Sequence, residues 1–424
     1  MTMQYTKMRL RCETPIFIGS GEEYTKMNYF YWDNRVYYLN EHAWASFLFK
    51  RKRNLLNKFT EENANAYRGY GPASSIRKFL SDQGVIPRWE GQGKDPVKFL
   101  SDIGVITKAE GIPLAGISDK NTGKYGPNTI HSFIRDGRGQ RFIPGSSLKG
   151  AMRTAILSEY LRQTGQSDAY WQKLKRAADQ NILDNKKAEE FRELNSKKAD
   201  QMIKSNNRRF KQESERQINN LEKEIAIPFN EKTRRRDMVD SYFTGMQVSD
   251  AVLENEHVGI VQKEDLGYSK ARKGDDPNPL VLFREALMPP TSAEFTIGID
   301  PKKMGSLGIR NIDDLMNCLQ KFMSYQYDIL SDAFPADNTV YDLDSIRRSD
   351  LYLGGGTGFL SKTLVYSLAP SKDEAIRVTR QILQSMFGKH NHDFQISPRT
   401  LKLTKVQSQY DIMGLGKLEV VKPL

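Results

Sequence analysis

Two cysteines in 424 residues, Cys12 and Cys318, are too few and too far apart for a disulfide scaffold or a zinc cluster. Histidine is scarce as well. The five are His42, His131, His257, His390 and His392, with no H-E-x-x-H pair among them. No G-x-S-x-G elbow offers a serine nucleophile. No apolar run approaches the ~20 residues of a membrane span. Met1 to Arg11 alternates polar and apolar residues without the apolar centre of a secretory leader, so a reducing cytoplasm is expected. Acid is in deficit, with 52 Asp+Glu against 64 Lys+Arg, a net charge of +12 and a pI near 9.3. That balance favours a polyanionic partner and leaves the fold open. The expectation is a chain with no metal, no cofactor and no membrane contact.

The residues present are most informative at Phe142-Ile-Pro-Gly-Ser-Ser-Leu-Lys-Gly-Ala-Met-Arg153. The segment reads as a short strand, a Pro-Gly turn and a helix running through Leu161. Ser146 and Ser147 are predicted side-chain N-caps, Gly145 permits a close backbone approach, and Gly150 leaves one helix face bare. Lys149 and Arg153 are four apart and rise from one face near the positive end of the helix. Together these make a phosphate seat, or else an ordinary capped helix with two solvated cations.

Around this motif the chain alternates between patterned and unpatterned stretches. Tyr5 to Ile18 reads as a long strand broken at Thr14-Pro15 and ending in Gly19-Ser20-Gly21. Tyr29–Trp32 and Arg35–Leu39 flank the hairpin signal Asp33-Asn34, so Asp33 is a turn residue and not a catalytic carboxylate. A helix is predicted from Glu41 to Asn57. Residues 64–128 read as an irregular, thumb-like insertion. Inside it Lys78-Phe-Leu-Ser-Asp-Gln-Gly-Val-Ile86 recurs as Lys98-Phe-Leu-Ser-Asp-Ile-Gly-Val-Ile106, each copy a short helix closed by glycine and released into an extended segment. Tyr170 to Ile227 is helical and highly charged. Its apolar stripe is predicted at Leu174, Ile182, Phe191, Leu194, Ile203, Phe210, Ile218 and Leu221, and its mixed charge reads as a solvated face. Strands are expected at Met246–Leu253 and Ala293–Ile299, a helix over Ile312–Leu330, and a short strand at Leu351–Leu353. A helix over Lys372–Phe387 and strands near Leu401–Val406 and Leu418–Val421 close the chain.

The cluster Gly354-Gly-Gly-Thr-Gly-Phe-Leu-Ser-Lys-Thr363 fails the dinucleotide spacing. It approaches a P-loop, except that Ser361 replaces the second glycine and Leu364–Leu368 reads as extended. The better interpretation is an anion nest, with Phe359 to stack on a base and Lys362 to meet a phosphate. His390-Asn-His392 reads as a surface turn. His131, before Arg135, Arg138 and Arg141, is the one candidate general base for RNA self-cleavage.

The long periodic pieces run strand, helix, strand, strand, helix, strand. This predicts an α+β fold, a ferredoxin-like or RRM-like βαββαβ core over 1–360 with insertions at 64–128 and 170–227, followed by a C-terminal α/β extension, 361–424, packing on the core. Such sheets serve as platforms for single-stranded RNA.

Thr14-Pro-Ile-Phe-Ile-Gly-Ser-Gly-Glu22, Phe142–Arg153, Met246-Gln-Val-Ser-Asp250 and Leu353-Gly-Gly-Gly-Thr-Gly-Phe359 together resemble the signature regions of the CRISPR RAMP superfamily. The Gly-rich string and the long charged insertion are similar to those of a subunit of the type III-A (Csm) effector complex. The resemblance implies a non-catalytic subunit that holds the 3′ region of the guide crRNA, caps the filament and supports guide maturation. Its implied partners are the guide, target RNA, the repeated backbone subunit, the small subunit and a host trimming nuclease. The RNA-binding residues it implies are Gly19, Ser20 and Gly21; Gly145, Ser146, Ser147, Lys149 and Arg153; and Gly354, Gly355, Gly356, Thr357, Gly358, Phe359 and Lys362. Phe17 stands where many relatives carry histidine, which weakens the alternative, a metal-independent endoribonuclease processing guide precursors.

Overall fold

The alternation that opens the chain becomes the central strand of a sheet. The computed structural model describes residues 3–51, 53–67, 75–117, 122–165, 168–388 and 390–423. Its strands, in chain order, are β1 (Gln4–Cys12), β2 (Gly19–Thr25), β3 (Tyr29–Trp32), β4 (Arg35–Tyr38), β5 (Ile112–Pro113), β6 (Thr129–Phe133), β7 (Phe142–Ile143) and β8 (Met246–Val248). They continue as β9 (Ala251–Asn255), β10 (Val258–Gly267), β11 (Asn278–Leu287), β12 (Ser292–Ile299), β13 (Leu351–Tyr352), β14 (Thr400–Val406), β15 (Gln409–Ile412) and β16 (Leu415–Pro423). The principal helices are α1 (Glu41–Arg51), α2 (Arg53–Tyr67), α3 (Ile76–Asp82), α4 (Ile86–Gly91), α5 (Pro96–Asp102), α6 (Gly145–Thr164), α7 (Asp168–Glu190), α8 (Ser196–Ala226), α9 (Ile312–Ser331) and α10 (Lys372–Phe387).

The first sheet has the order β13-β16-β1-β12-β9-β7, with β8 also paired to β12. The predicted βαββαβ succession is present as β1, α6, β8/β9, β12, α9 and β13. The C-terminal segment contributes more than an external layer, because β16 lies between β1 and β13. Met8 and Leu10 of β1 are buried in the same core as Leu148, Met152 and Ile156 of α6 and Leu319 and Phe322 of α9, the two helices on the apolar face of the sheet. The other face of β1 carries a charge ladder in which Lys7 pairs with Glu294, Arg9 with Glu254 and Glu294, and Arg11 with Glu419. Cross-strand ion pairs of this kind satisfy an exposed face. The open sheet face is therefore not the aromatic platform of an RNA-recognition sheet.

The second sheet runs β15-β14-β10-β11-β6-β2, and β3-β4-β5 form a third. Asp33 and Asn34 close the β3–β4 hairpin with φ of 47° and 55°, the two left-handed residues that a tight hairpin requires. The region expected to be irregular holds α3, α4 and α5, and it shares a core with α1 and α2 in which Trp44, Phe59, Phe79 and Trp89 are buried together. Both duplicated copies end as expected, at Gly84 (φ 66°) and Gly104 (φ 74°). The first copy, however, runs into α4 instead of an extended segment. The helix predicted for Glu41–Asn57 is replaced by α1 and the longer α2, packed through the Trp44 and Phe59 rings at 5.3 Å.

Helices α7 and α8 form a hairpin. Leu174, Phe210 and Leu221 of the predicted stripe are buried, but Ile182 and Leu194 are 42% and 79% exposed. Polar contacts fill part of the seam: Asn185 donates to Asn207 at 2.8 Å, and Gln381 of α10 donates to Asn181 at 2.5 Å.

Candidate nucleic-acid interface

After Cys12 the chain leaves the first sheet and crosses to the second, held by backbone bonds from Ile16 N to Leu287 O (2.9 Å) and from Gly414 N to Pro15 O (2.9 Å). Phe17 sits at this crossing. Gly355 N donates to Phe17 O at 2.6 Å, so the glycine loop lies directly on the crossing strand. Gly354 has φ +83°, and a Cβ there would stand 2.1 Å from Phe17 O. Left-handed backbone and this close approach together admit only glycine. Two of the four resembling segments, 14–22 and 353–359, are thus brought into contact. The Gly19-Ser20-Gly21 end predicted for the first strand instead begins β2, where Ser20 Oγ lies 2.5 Å from Ser132 Oγ.

Beneath the loop is a group of cations that, Lys362 apart, the sequence pattern did not single out. Arg284 of β11 stacks 5.2 Å from the centre of the Phe17 ring and lies against Gly356, where an added Cβ would stand 2.6 Å from its Nη1. Its polar contact is the Met413 thioether at 3.9 Å; among the described residues it has no carboxylate partner. On the neighbouring strands Lys402 bonds Asp265 at 2.8 Å, and Lys263 stands 3.6 Å from the same carboxylate. Burial lowers the Arg284 guanidinium, and Asp265 only partly opposes this. Lys263 is lowered by burial and then by the Lys402 charge. Lys362 is lowered by burial and by Arg284. Lys263 and Lys402 thus share one acid, Asp265, which only partly offsets Arg284, while Lys362 stands against the Arg284 charge; a polyanion would relieve their mutual repulsion.

The other two segments, 142–153 and 246–250, pack against each other elsewhere. Gly145 opens α6 just after β7, at the opposite edge of the first sheet from β13. Five strand spacings of ~4.8 Å separate those edges, roughly 24 Å, so the helix start and the glycine loop are not two walls of one narrow groove. Ser146 and Ser147 do not cap α6. Pro144 occupies the N-cap position without a side-chain bond, and Asp250 Oδ1 accepts from Gly145 N at 2.7 Å. A Cβ on Gly145 would lie 2.3 Å from Val248 O, so the predicted close approach is to the protein's own strand. Lys149 Nζ donates to Phe243 O (2.8 Å) and Met246 O (2.6 Å). Arg153 pairs with Glu222 at 2.7 Å and stacks on Phe243. Both cations are engaged within the fold.

The remaining candidates are readily placed. Ser361 turns inward to Thr357 Oγ1 at 3.0 Å, and Val365–Leu368, predicted extended, is one helical turn. This geometry has neither the second glycine nor the long helix of a P-loop. His131 Nδ1 lies 3.2 Å from Glu23. Among the described residues no three His, Cys, Asp or Glu side chains are grouped to hold a metal ion, and no helix is long and apolar enough to cross a membrane.

A βαββαβ sheet elaborated by a second sheet, with a glycine loop laid over its first crossing, defines a class. The RAMP superfamily model matches residues 9–357, and the chain belongs to that superfamily. Over 426 residues it is 25% identical to the CRISPR system Cms protein Csm5 of Mycobacterium tuberculosis, covering 98% of this chain and 97% of the relative. It is 28% identical to Csm5 of Streptococcus thermophilus over 368 residues, 84% of this chain and 79% of that one. Two solved structures share the fold. One is a chain of a Csm–crRNA–target RNA ternary complex of a type III-A CRISPR-Cas system (TM-score 0.61, 19% identity, 98% of this chain and 100% of that one). The other is T. onnurineus Csm5 (TM-score 0.56, 17% identity, 96% of this chain and 99% of that one).

Proposed function

We propose that this chain is a Csm5-type subunit of a type III-A CRISPR effector complex. In this role it holds the 3′ region of the guide crRNA, caps the filament and supports guide maturation and interference, without a catalytic centre of its own. The carrying observation is Arg284, which has no carboxylate partner among the described residues and lies under the Gly354–Gly358 loop beside Lys362, Lys263 and Lys402. Desolvated cations beneath a glycine loop favour a phosphate backbone. Gly19–Gly21 continue from the same crossing, Phe359 follows the loop beside Lys402, and both complete the surface. Gly145, Lys149 and Arg153 serve chiefly to fix α6, whose start is tied to Asp250, Phe243 and Met246, while Ser146 and Ser147 cap nothing there. The partners are the guide, target RNA, the backbone and small subunits of the complex, and a trimming nuclease of the host.

Arg284→Gln and Lys362→Gln test the surface. Each is expected to reduce the dependence of log affinity on log salt by about 0.7 for single-stranded RNA. An unchanged slope in both removes the loop from the RNA site. The His131–Glu23 pair supports a second reading, metal-independent cleavage of guide precursors. Precursor RNA incubated with the chain in EDTA is expected to stay intact; cleavage abolished by His131→Ala would favour the second reading.

A further inference from the structure

Helix α8 separates charges that the sequence mixes. Across Ser196–Gln212 the cations are Lys197, Lys198, Lys204, Arg208, Arg209 and Lys211, against the single acid Asp200. Lys197, Lys204, Arg208 and Lys211 recur at intervals of seven, four and three, which places them on one helix face. All four are exposed, and that face is opposite the side buried through Ala199, Phe210, Ser214 and Gln217.

Four acids of the hairpin pair with cations off this ridge. Glu189 and Asp200 pair with Arg192, Asp184 with Arg209, and Glu213 with Arg216. Lys211 reaches Glu215 only at 3.8 Å. Among the described residues Lys197, Lys204 and Arg208 have no ion pair at all. The ridge from Lys197 to Lys211 is about 21 Å long at ~1.5 Å per residue. Gln201, Ser205 and Gln212 lie beside it, so it carries neither an apolar anchor nor an aromatic ring. An acidic protein partner would ordinarily bury an apolar centre in its contact. A line of point charges without one matches a phosphate backbone, gripped without regard to sequence.

We propose that the Lys197–Lys204–Arg208–Lys211 ridge of α8 is a second RNA-backbone contact, separate from the glycine loop. It rests on the reading that the chain holds RNA, and assigns the helical insertion a part in doing so.

The test uses the full chain and a uridine homopolymer of about 30 nucleotides, titrated between about 50 and 200 mM salt. Lys197→Gln/Lys204→Gln/Arg208→Gln should make the log–log slope shallower by about 2 and weaken binding roughly a hundredfold near 0.1 M salt. The charge-matched control Lys173→Gln/Lys186→Gln/Lys187→Gln, on α7, should change both far less. Equal effects from the two triples would reduce the ridge to general charge and overturn the proposal. So would an unchanged ridge triple beside a weakened Arg284→Gln/Lys362→Gln double, which would leave the loop site standing. A weakened ridge triple beside an unchanged double would support the ridge and remove the loop. Loss of a protein subunit from the native complex, with RNA affinity intact, would assign the ridge to an acidic protein and also overturn the proposal.

Discussion

Replacing Lys149 with methionine separates two roles for one side chain. Methionine keeps much of the apolar stem and removes the ammonium. That ammonium donates to Phe243 O and Met246 O at 2.8 and 2.6 Å, tying α6 to the segment that leads into β8. A hydrogen bond to a charged group contributes about 1.5–3 kcal/mol when buried. Lys149 is only half-buried and water can replace part of each bond, so the pair together is expected to lose about 2 kcal/mol. At roughly 2.1 cal/mol/K per residue, 424 residues unfolding together give about 0.9 kcal/mol per degree, hence a fall in Tm of about 2 °C. The same purified variant, titrated with single-stranded RNA, should keep the wild-type salt slope. An unchanged Tm with a slope reduced by about 0.7 would refute this reasoning and make Lys149 a phosphate grip.

Gly354→Ala meets both a φ of +83° and Phe17 O at 2.1 Å, and should cost well over 2 kcal/mol with loss of RNA binding. Gly358→Ala, whose nearest neighbour would be Lys402 Cγ at 3.4 Å, should cost only the ~1–2 kcal/mol of a left-handed alanine; equal losses in urea denaturation would contradict the packing. Asp250→Ala removes the acceptor for Gly145 N and should destabilise by about 1 kcal/mol, whereas Ser146→Ala should be near neutral; the reverse order would restore the serine cap. Glu264 is raised from 4.5 to about 7, first by burial and further by Asp276, with Lys405 opposing. Because its folded pKa is raised, the folded state binds the proton more tightly, and stability is lost as pH climbs from about 4.5 through about 7. Glu264→Gln should therefore stabilise the chain by up to about 3 kcal/mol near pH 8 and by almost nothing near pH 4.5. A gain of equal size at both pH values would contradict it.

Local signals were legible where one element carried its own punctuation. Asp33-Asn34 closed its hairpin, Gly84 and Gly104 ended the duplicated helices, and Lys372–Phe387 formed the predicted helix. Signals that depend on distant residues were not legible. Ser146 and Ser147 looked like caps, yet the acceptor is Asp250, more than a hundred residues away. Strands β10 and β11 escaped because both faces of the second sheet are partly covered, which erases the period of two. Gln262-Lys-Glu-Asp265 is an unbroken polar run in which Gln262 and Glu264 are nonetheless buried. Missing β11 meant missing Arg284. The glycine string was therefore visible as a motif, while the cations beneath it became visible only once the sheet was assembled.

The central claim is that the crossing at Phe17, the Gly354–Gly358 loop and Arg284 face the guide RNA. The most direct test is to purify the complex containing this chain from its own host, crosslink its RNA by ultraviolet light and map the attached peptides and nucleotides. The account predicts a guide RNA with paralogous subunits, and crosslinks from its 3′ region to peptides spanning Phe17–Tyr24, Arg284 and Gly354–Lys362. A guide crosslinked to this chain only through other peptides, or a complex without guide RNA, would contradict it.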